Sequence, residues 1–561
     1  MKSNKQIKIL LALVIAGFLF RLLLIKFRFV PAFDEINYLK LGISGGMNGL
    51  GEIFHPYWTP LLPGLISITS MIFDDYIFAG RLVTIIAGSF VVIPVYMLAK
   101  DMFNETIGFV AACFICFYPP IAYQSTQVLT EPVTMLMATF AIYYGMKLLE
   151  HYSLRYAILA GVLTGLLYLN HPKSLGFFCV IVTWIVLKIA FKTRLKKLVI
   201  GVSFVLAFIV VALPYVLYLK METGVWTISS KAAANLQFES STGDHDTDPF
   251  RTLDDQNQSI AIDQIYHVGN FLTINKNSLN KGSGLKIGSF LIKYFRNLYS
   301  MLKRSIPQLF TTLPMLLLGI GLLGVSWEKF QGWKIIYLLS FIIFFWFLLI
   351  PSFHIIERYL SPLFPICAIW IANGGVTVYR KLCEYEPLNK LAVITNKDVK
   401  LLAGSSLMAT VLVFSFFPEM GKILSKDPYC QDYWTPPIEQ KIAGEWLNTN
   451  MPGKKVIMSF YHSIDIYVNN FEIKESVTIP DHEIDRVVAY AKNRGVNYIV
   501  LNERYLYDMP RLKSLFESTE QIPGLERIYN EVDATGYKTI IFKVQIEKSG
   551  FINHLKTSRE I

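Results

Sequence analysis

A series of apolar segments, each long enough to cross a lipid bilayer, constrains this chain more than any other feature. A hydrocarbon core of about 30 Å needs about 20 apolar residues in a helix, and helices satisfy every backbone polar group internally. Hydrophobic residues make up 53% of the 561 residues and charged residues only 17%, whereas soluble domains carry about 25% charged residues. The sequence therefore predicts a polytopic α-helical membrane protein.

The first predicted span, Ile9–Ile25, follows three lysines near the N-terminus. It is longer than the apolar region of a signal peptide and lacks a small-residue cleavage site, so we expect a retained span that begins in the cytoplasm. Together with the later apolar segments it gives about eleven spans by length. The later spans are Ile77–Leu98, Ile107–Tyr123, Val128–Tyr144, Tyr156–Leu169, Ser174–Phe191, Leu198–Leu219, Ile306–Val325, Ile335–Pro351, Tyr359–Val378 and Leu401–Phe417.

One short apolar segment, Leu61–Phe73, decides the orientation of the later loops. Because it is short and contains Pro63 and Gly64, we expect an interfacial or re-entrant helix rather than a span. The basic clusters between later spans then lie in the cytoplasm, as the positive-inside rule requires, and a twelfth span would break that rule. The outer side receives the first loop, residues 28–76, the long loop 220–305 and the C-terminal part.

Residues 1–418 are thus expected to form the membrane domain, and residues 419–561 a soluble extracytoplasmic α/β domain. Five predicted elements support the second domain, with helices at Ile438–Leu447 and His482–Lys492 and strands at Lys455–Phe460, Asn497–Leu501 and Lys538–Val544. The segment has no glycine-rich phosphate loop and no serine–histidine–aspartate order. A lid or an acceptor-docking module is therefore the expected role.

The formal net charge of +11 does not predict a nucleic-acid partner. Lysine and arginine occur in short clusters between apolar runs, which is typical of loops beside anionic membrane lipids. Within the long loop, Ser289–Met301 has the amphipathic pattern of a helix lying on the outer leaflet. The six cysteines show neither a disulfide framework nor metal-ligand spacing.

Ionisable residues are concentrated at the outer ends of the predicted spans. Such residues are costly in hydrocarbon, so they are expected to line a wet cavity or to form pairs. Arg21 lies within the first span and is expected to extend outward or to pair with a buried carboxylate. The others are Asp34 and Glu35 in the first outer loop, and Arg81, Glu131, His171, Lys173, Glu357 and Arg358 at later ends.

This set fits the transfer of a sugar from a lipid phosphate to a hydroxyl. Asp34 or Glu35 can supply the base that takes the acceptor proton. Arg81, Lys173, Arg358 and His171 are candidates to hold the departing phosphate. Adjacent acids can also bind a divalent cation or simply solvate a loop, so the residues alone leave a metal open.

Several short motifs together resemble the GT-C class of integral-membrane glycosyltransferases. The similarity is strongest to the branch with the dolichyl-phosphate-mannose protein mannosyltransferases and the lipid A aminoarabinose transferases, and it covers about residues 7–380. The motifs are Arg21, Asp34-Glu35-x-x-Tyr38, the run His55–Gly64, Ala79–Leu82, Tyr118-Pro119-Pro120, Leu129–Pro132 and Glu357-Arg358-Tyr359-Leu360-x-Pro362-x-x-Pro365.

The resemblance implies a polyprenyl-phosphate sugar donor and transfer with inversion outside the cytoplasm to a lipid, glycan or protein acceptor. It implies a catalytic acid at Asp34 with Glu35 beside it, and substrate contacts from Tyr38, Arg81, Glu131, Arg358 and Tyr359. Relatives often carry Arg-Pro after the fifth span, where this chain has His171-Pro172-Lys173. Lys173 is the expected substitute for that arginine.

Two other classes fit parts of the sequence. A transporter or glycolipid flippase would also be polytopic, but such proteins usually show internal repeats and charged or broken helices at mid-membrane. A receptor or scaffold presenting the C-terminal domain would not need the acids of the first loop. Substitution of Asp34 in a transfer assay would separate both from an enzyme.

Overall fold

The computed structural model describes residues 2–231, 287–324, 332–384, 416–425 and 438–545, apart from a few positions within these ranges. The chain divides into two compact units. The described residues up to 425 belong to the first unit, and those from 438 belong to the second. The first unit is helical, and the second contains a β-sheet.

Six helices in the described part of the chain are long and apolar enough to cross a membrane, and a bent pair would make a seventh. The chain is therefore a multi-pass membrane protein, while the figure of about eleven spans stays a prediction. Most of the predicted span Leu401–Phe417 lies outside the described residues. The six candidates are Gln6–Phe27, Tyr76–Met102, Thr130–His151, Lys197–Thr223, Gly332–Ser352 and Glu357–Lys381.

Shorter helices complete the first unit. The expected short helix in the first outer loop is present at Leu61–Ser70, and the polar helix Phe33–Asn48 precedes it. Helix starts follow the chemistry of their caps: Asp75 accepts the Phe78 N–H at 2.9 Å, and Asn104 accepts the Ile107 N–H at 3.0 Å. The remaining short α-helices of the described residues are Glu105–Phe117, Pro119–Gln124, Leu154–Asn170, Leu175–Ala190, Ile287–Ser300, Ile306–Leu309, Thr312–Leu323 and Phe417–Leu424.

The predicted span Ile306–Val325 is not one straight helix in the structure, because the chain bends sharply between Leu309 and Thr312. Phe290–Leu309 and Thr312–Leu323 meet at 105°, and the bend contains Thr311 at the positive φ of 32°. The Tyr118 hydroxyl donates to the Leu309 carbonyl, which the bend leaves without a helical partner. The Tyr118 ring also stacks on Phe364 with centroids 4.7 Å apart, so the Tyr118-Pro119-Pro120 motif holds the bend.

The expectation for Arg21 was wrong in both of its forms. Its side chain is fully buried, and it neither extends to the surface nor pairs with a carboxylate of the described residues. The guanidinium instead donates to the main-chain carbonyls of Cys116, at 2.9 Å, and Gly17, at 3.1 Å. Arg21 thereby joins the first span to the helix Glu105–Phe117.

Two glycines allow the closest helix crossing of the first unit. A Cβ atom at Gly321 would overlap the Trp370 backbone, and one at Gly374 would overlap the Leu317 backbone. The helices Thr312–Leu323 and Phe364–Glu384 can therefore approach along their backbones, as small residues permit in membrane bundles. This packing fixes the second helix, whose preceding 3-10 turn Glu357–Leu363 carries Arg358.

The described residues of the second unit include five strands: β1 Ile457–Ser459, β2 Val477–Thr478, β3 Tyr498–Asn502, β4 Leu525–Val532 and β5 Lys538–Val544. They form one sheet in the order β2-β1-β3-β5-β4. Strands β1, β2 and β3 are parallel, whereas β5 pairs antiparallel with β3 and β4. Buried residues of Ile484–Asn493 pack against the sheet core, and residues of Ile438–Asn450 join a separate apolar cluster with Ile457.

The expected small α/β domain is thus present. Its predicted helices and its first, third and fifth strands are found, whereas β2 and β4 were not predicted. Strand β2 has only two residues, and β4 is an exposed edge strand rich in charge, so neither shows the alternation that identifies a strand. The helix Phe417–Leu424 lies in the first unit, where Ile423 packs with Leu24 and Ala122.

Candidate active site

The polar helix Phe33–Asn48 places Asp34 in its first turn, beside Arg358 of the late 3-10 turn. The Arg358 guanidinium donates to the Asp34 carboxylate, which is 324 residues away in sequence. The Asp34 side chain is 30% exposed and that of Arg358 23% exposed. Burial opposes ionisation of Asp34, but the charges of Arg358, Lys231 and Lys173 outweigh it and hold its pKa below the ordinary value. Asp34 is therefore a carboxylate at neutral pH.

Glu131 contacts the same guanidinium through a different nitrogen. Its carboxylate is 3.5 Å from Arg358 Nε, and its side chain is only 8% exposed. Glu131 occupies the first turn of the helix Thr130–His151, a position where the helix dipole favours a negative charge. Arg358 thus contacts carboxylates from two different helices, which fixes its orientation.

Glu35, adjacent to Asp34 in sequence, has a different environment. Its side chain is buried, with 2% of the residue exposed. One carboxylate oxygen accepts the backbone N–H of Val128 at 2.8 Å. Glu35 therefore joins the first outer helix to the segment that precedes Thr130–His151.

Two lysines complete the positive side of the site. Lys173 Nζ lies 3.7 Å above the Tyr359 ring, and Lys231 Nζ lies 4.2 Å above the Trp58 ring. Burial and the charge of Lys231 lower the pKa of Lys173 to about 8, and burial lowers that of Lys231 as well. Both ammonium groups lie over aromatic rings, and the charge of each lowers the pKa of Asp34.

The predicted substrate contacts Tyr38 and His171 are both placed near this group. Tyr38 is buried and packs edge-to-face on Trp58, with ring centroids 5.1 Å apart. His171 Nδ1 accepts the backbone N–H of Lys173 at 3.2 Å. Burial and the neighbouring charges of Lys173, Lys231 and Arg358 hold the pKa of His171 well below its ordinary value, so the ring is neutral and orients the turn.

Arg81 is buried on the helix Tyr76–Phe90. Burial lowers the pKa of Arg28, the charge of Glu35 raises it, and the charge of Arg81 lowers it further. The Nε and Nη2 atoms of Arg81 are buried without a hydrogen-bond partner in the described part of the protein. Arg81 and Glu35 therefore both lie close enough to Arg28 for their charges to affect it.

An apolar cavity of about 290 Å³ opens next to the lysines. Lys173 and Lys231 both line it, together with Tyr168, Phe344 and Phe353. A smaller cavity of about 50 Å³ reaches Glu131 and Tyr359 beside Lys173. A mainly apolar cavity lined by two ammonium groups can hold a lipid tail with an anionic head.

Lys231 is the site residue that sequence reasoning missed. It lies in the long loop 220–305, where nothing in the residue pattern separates it from other basic positions. The neighbouring aromatic residues Tyr57 and Trp58 come from a distant motif, so the contact appears only in three dimensions. Among the residues that the structure describes, no group of three His, Cys, Asp or Glu side chains could hold a metal ion.

Comparison with known proteins supports the resemblance seen in the sequence. Residues 55–218 match the dolichyl-phosphate-mannose-protein mannosyltransferase family. No curated protein matches the chain. Among solved structures, the oligosaccharyltransferase of Archaeoglobus fulgidus in the apo form is 13% identical, with a TM-score of 0.57 over 97% of this chain and 75% of that one.

A second solved structure, ArnT from Cupriavidus metallidurans bound to undecaprenyl phosphate, is 10% identical, with a TM-score of 0.53 over 97% of this chain and 99% of that one. The chain shares the fold of these GT-C proteins. The resemblance to the mannosyltransferase and ArnT branch is thereby confirmed. The family match and the fold agree with a glycosyltransferase and do not favour a transporter or flippase.

Proposed function

We propose that this protein transfers a sugar from a polyprenyl phosphate to an acceptor hydroxyl on the extracytoplasmic face, with inversion. The observation that carries the proposal is the ionised Asp34 bound to Arg358, with Lys173 and Lys231 beside it at the end of an apolar cavity. Two solved proteins with this fold contain polyprenyl phosphates. ArnT was solved with undecaprenyl phosphate, and AglB, the oligosaccharyltransferase of Archaeoglobus fulgidus, was solved with a dolichol-phosphate. The residue roles below are our assignments.

The two lysines hold the donor phosphate in this scheme. The acceptor oxygen forms a bond to the anomeric carbon as the bond from that carbon to the phosphate oxygen breaks. The electron pair leaves with the phosphate, whose charge Lys173 and Lys231 stabilise. The acceptor proton passes to Asp34. A single displacement of this kind inverts the anomeric centre.

The other site residues position these groups. Arg358 orients Asp34, and Glu131 helps to hold the Arg358 guanidinium in place. Glu35 anchors the first outer helix through the Val128 N–H. Tyr38 and Tyr359 form aromatic walls of the site. Tyr38 packs on Trp58, and the Tyr359 ring lies under the Lys173 ammonium group.

The proposed orientation places the N-terminus in the cytoplasm and the C-terminal domain outside. The Asp34 site then faces a compartment without a supply of nucleotide sugars, which agrees with a lipid-linked donor. The basic clusters of the cytoplasmic loops support this orientation. The expected role of the C-terminal domain is that of a lid or an acceptor-docking module.

The test is a transfer assay on the purified full-length protein, with polyprenyl-phosphate sugars and nucleotide sugars offered in parallel. We expect turnover only with the lipid-linked donor. Asp34→Asn keeps the size of the side chain but removes the base, so transfer falls by about 100-fold or more. The matched control is Asp74→Asn, a change of an exposed acid in the same outer loop, and it keeps transfer unchanged.

Two results would overturn the proposal. Full activity with a nucleotide sugar and no polyprenyl lipid would refute the donor class. Normal turnover of a folded Asp34→Asn protein would refute the assignment of the base. Mass spectrometry of the lipid that co-purifies with the protein would identify the sugar.

A further inference from the structure

The amphipathic helix Ile287–Ser300 bonds to the backbone of residues 343–353, the wall segment, at the end of a late span. One face of this helix carries exposed apolar side chains, as on a helix that lies on a membrane surface. Tyr294 and Asn297 are only partly exposed, and both side chains donate to backbone carbonyls more than fifty positions later in the chain. The exposed apolar residues of the helix are Leu291, Ile292, Phe295 and Tyr299.

The wall segment has carbonyl groups that its own helix does not satisfy. Pro351 has no N–H and so cannot donate to the Phe347 carbonyl one turn earlier, and the Tyr294 hydroxyl donates to that carbonyl instead. The Pro351 and Phe353 carbonyls lie at and just beyond the helix end, where the Asn297 amide donates to them at 3.0 and 2.7 Å. Unpaired backbone groups are costly in a membrane, so these three bonds fix the wall segment.

The wall segment forms one side of the apolar cavity. Leu349 and Phe353 line this cavity with Lys173 and Lys231. The Lys173 ammonium group lies 5.5 Å from the centroid of the Phe353 ring, within the range of a cation–π contact. Asn297 therefore holds the carbonyl of the residue whose ring lies next to Lys173.

The Asp34–Arg358 pair has contacts of its own. The Arg358 guanidinium contacts Asp34 and Glu131, and the Arg358 carbonyl accepts the Ser361 hydroxyl at 2.7 Å. None of these contacts involves the helix Ile287–Ser300. A change in that helix should therefore alter the apolar cavity while the Asp34–Arg358 pair keeps its geometry.

We propose that Asn297, assisted by Tyr294, is a positioning residue for the lipid-phosphate donor. Asn297 acts through Phe353, which it holds at the apolar cavity beside Lys173. The proposal rests on the glycosyl transfer proposed above and adds residues of the amphipathic helix to the donor site. Because the exposed face of that helix is apolar, the cavity wall is fixed from the lipid side of the protein.

A binding titration tests the proposal without any transfer. Undecaprenyl phosphate, which has the polyprenyl chain and the phosphate but no sugar, is titrated into the full-length protein in detergent, and bound lipid is counted by native mass spectrometry. Asn297→Leu keeps the approximate size of the side chain but removes both N–H donors. We expect its Kd to rise roughly ten-fold, the scale of the two hydrogen bonds lost.

Two further variants separate the hydrogen bonds from the packing of the helix. Tyr294→Phe removes only a hydroxyl group and should raise the Kd by a smaller factor, even if Asn297→Leu fails to fold. Asn297→Gln keeps the amide and should restore part of the affinity. Normal undecaprenyl phosphate binding by folded Asn297→Leu and Tyr294→Phe proteins would overturn the proposal.

The matched control is Arg296→Leu. Arg296 is exposed on the same helix, and none of the bonds to the wall segment in the described part of the protein involves it. This change also replaces a polar side chain by leucine, and it should leave the Kd unaltered. Equal losses in Arg296→Leu and Asn297→Leu would show a general disturbance of the helix and would overturn the role of Asn297.

The pH dependence of binding gives a readout that a loss of stability alone would not move. Burial is the largest cause that lowers the pKa of Lys173 to about 8. A loosened wall segment admits water to the ammonium group and raises that pKa, so Asn297→Leu should lose undecaprenyl phosphate at a higher pH than the unsubstituted protein. An unshifted loss would overturn the action through Phe353. The charged or titratable groups around Lys173, all unchanged in this variant, are Lys231, Glu131, Arg358, Asp34, His171 and Tyr359.

The failures of the two proposals are distinguishable. In a transfer assay with a total membrane extract as the source of acceptor, Asn297→Leu should show a raised donor KM and an unchanged kcat. A lower kcat at an unchanged donor KM would refute the positioning role and leave the glycosyltransferase intact. If no polyprenyl donor gives transfer, the proposed function fails. The undecaprenyl phosphate titration then still decides the role of Asn297, since a raised Kd supports it and a normal Kd overturns it.

Discussion

Removal of the Arg358 charge gives the sharpest prediction for the site. In the Arg358→Gln protein, Asp34 and Glu131 lose the cation that both contact. Two partly buried carboxylates then share a site without that cation. Both the stability of the fold and the ionisation of Asp34 should change, in directions that the contacts fix.

The magnitude follows from burial. Removing one partner of a buried ion pair costs about 3–5 kcal/mol. Because the Arg358 side chain is 23% exposed, water screens part of the loss, and we expect the lower end, about 3 kcal/mol. Arg358 also lowers the pKa of Asp34, so its removal raises that pKa. The acid limb of activity, where Asp34 becomes protonated, therefore moves to higher pH.

The assay is the pH profile of kcat/KM on the full-length protein, combined with thermal unfolding in the same detergent. Arg358→Lys is the matched variant, since it keeps the charge but cannot reach both carboxylates with one planar group. It should retain most of the acid limb while losing part of the stability. Arg155→Gln, at an exposed position of a distant helix, should change neither. A folded Arg358→Gln protein with an unshifted acid limb would refute the assignment of Asp34 as the base.

Other predictions concern the neighbouring groups. Burial and the charge of Lys231 lower the pKa of Lys173 to about 8, so kcat/KM for the donor should fall as pH rises through about 8. Lys173→Arg should move that fall to higher pH. An unchanged pH profile would contradict the role of Lys173 in holding the phosphate. Glu35→Gln should lower stability by about 1–2 kcal/mol, measured by thermal unfolding, since Glu35 accepts a buried N–H, and should reduce turnover less than Asp34→Asn. Cysteines replacing exposed Glu52 and Glu526 should label with an impermeant reagent from outside, whereas one replacing Arg155 should stay protected; the reverse pattern would invert the topology.

Much of the fold was predictable because its signals are local. Length and apolarity identify helices such as Thr130–His151 one at a time, and the strongly patterned strands β3 and β5 were found within about one residue. The bend at Thr311 was not predictable, since it depends on a hydrogen bond from Tyr118, a residue almost two hundred positions earlier. The two glycine contacts between Thr312–Leu323 and Phe364–Glu384 are equally non-local.

The site residues show the same difference between local sequence signals, which can be predicted, and contacts between distant residues, which cannot. Residue type and position at the outer ends of spans identified Asp34, Glu131, Lys173 and Arg358, which the structure brings together. The same reasoning could not find Lys231, because its contacts with Tyr57 and Trp58 form only in the tertiary structure. The role of Arg81 as a phosphate-holding cation stays a prediction; in the structure its charge acts on Arg28.

The adjacent pair Asp34 and Glu35 shows why the two acids differ. Successive residues of a helix point about 100° apart, so a helix lying over the bundle cannot direct both carboxylates into one cavity. Glu35 faces inward and accepts the Val128 N–H, which commits one of its oxygens to the backbone. Asp34 is 30% exposed and contacts the Arg358 guanidinium, which orients it without burying it completely. The sequence order Asp-Glu, read against helix geometry, thus separates the residue available for proton transfer from the residue that holds the helix in place.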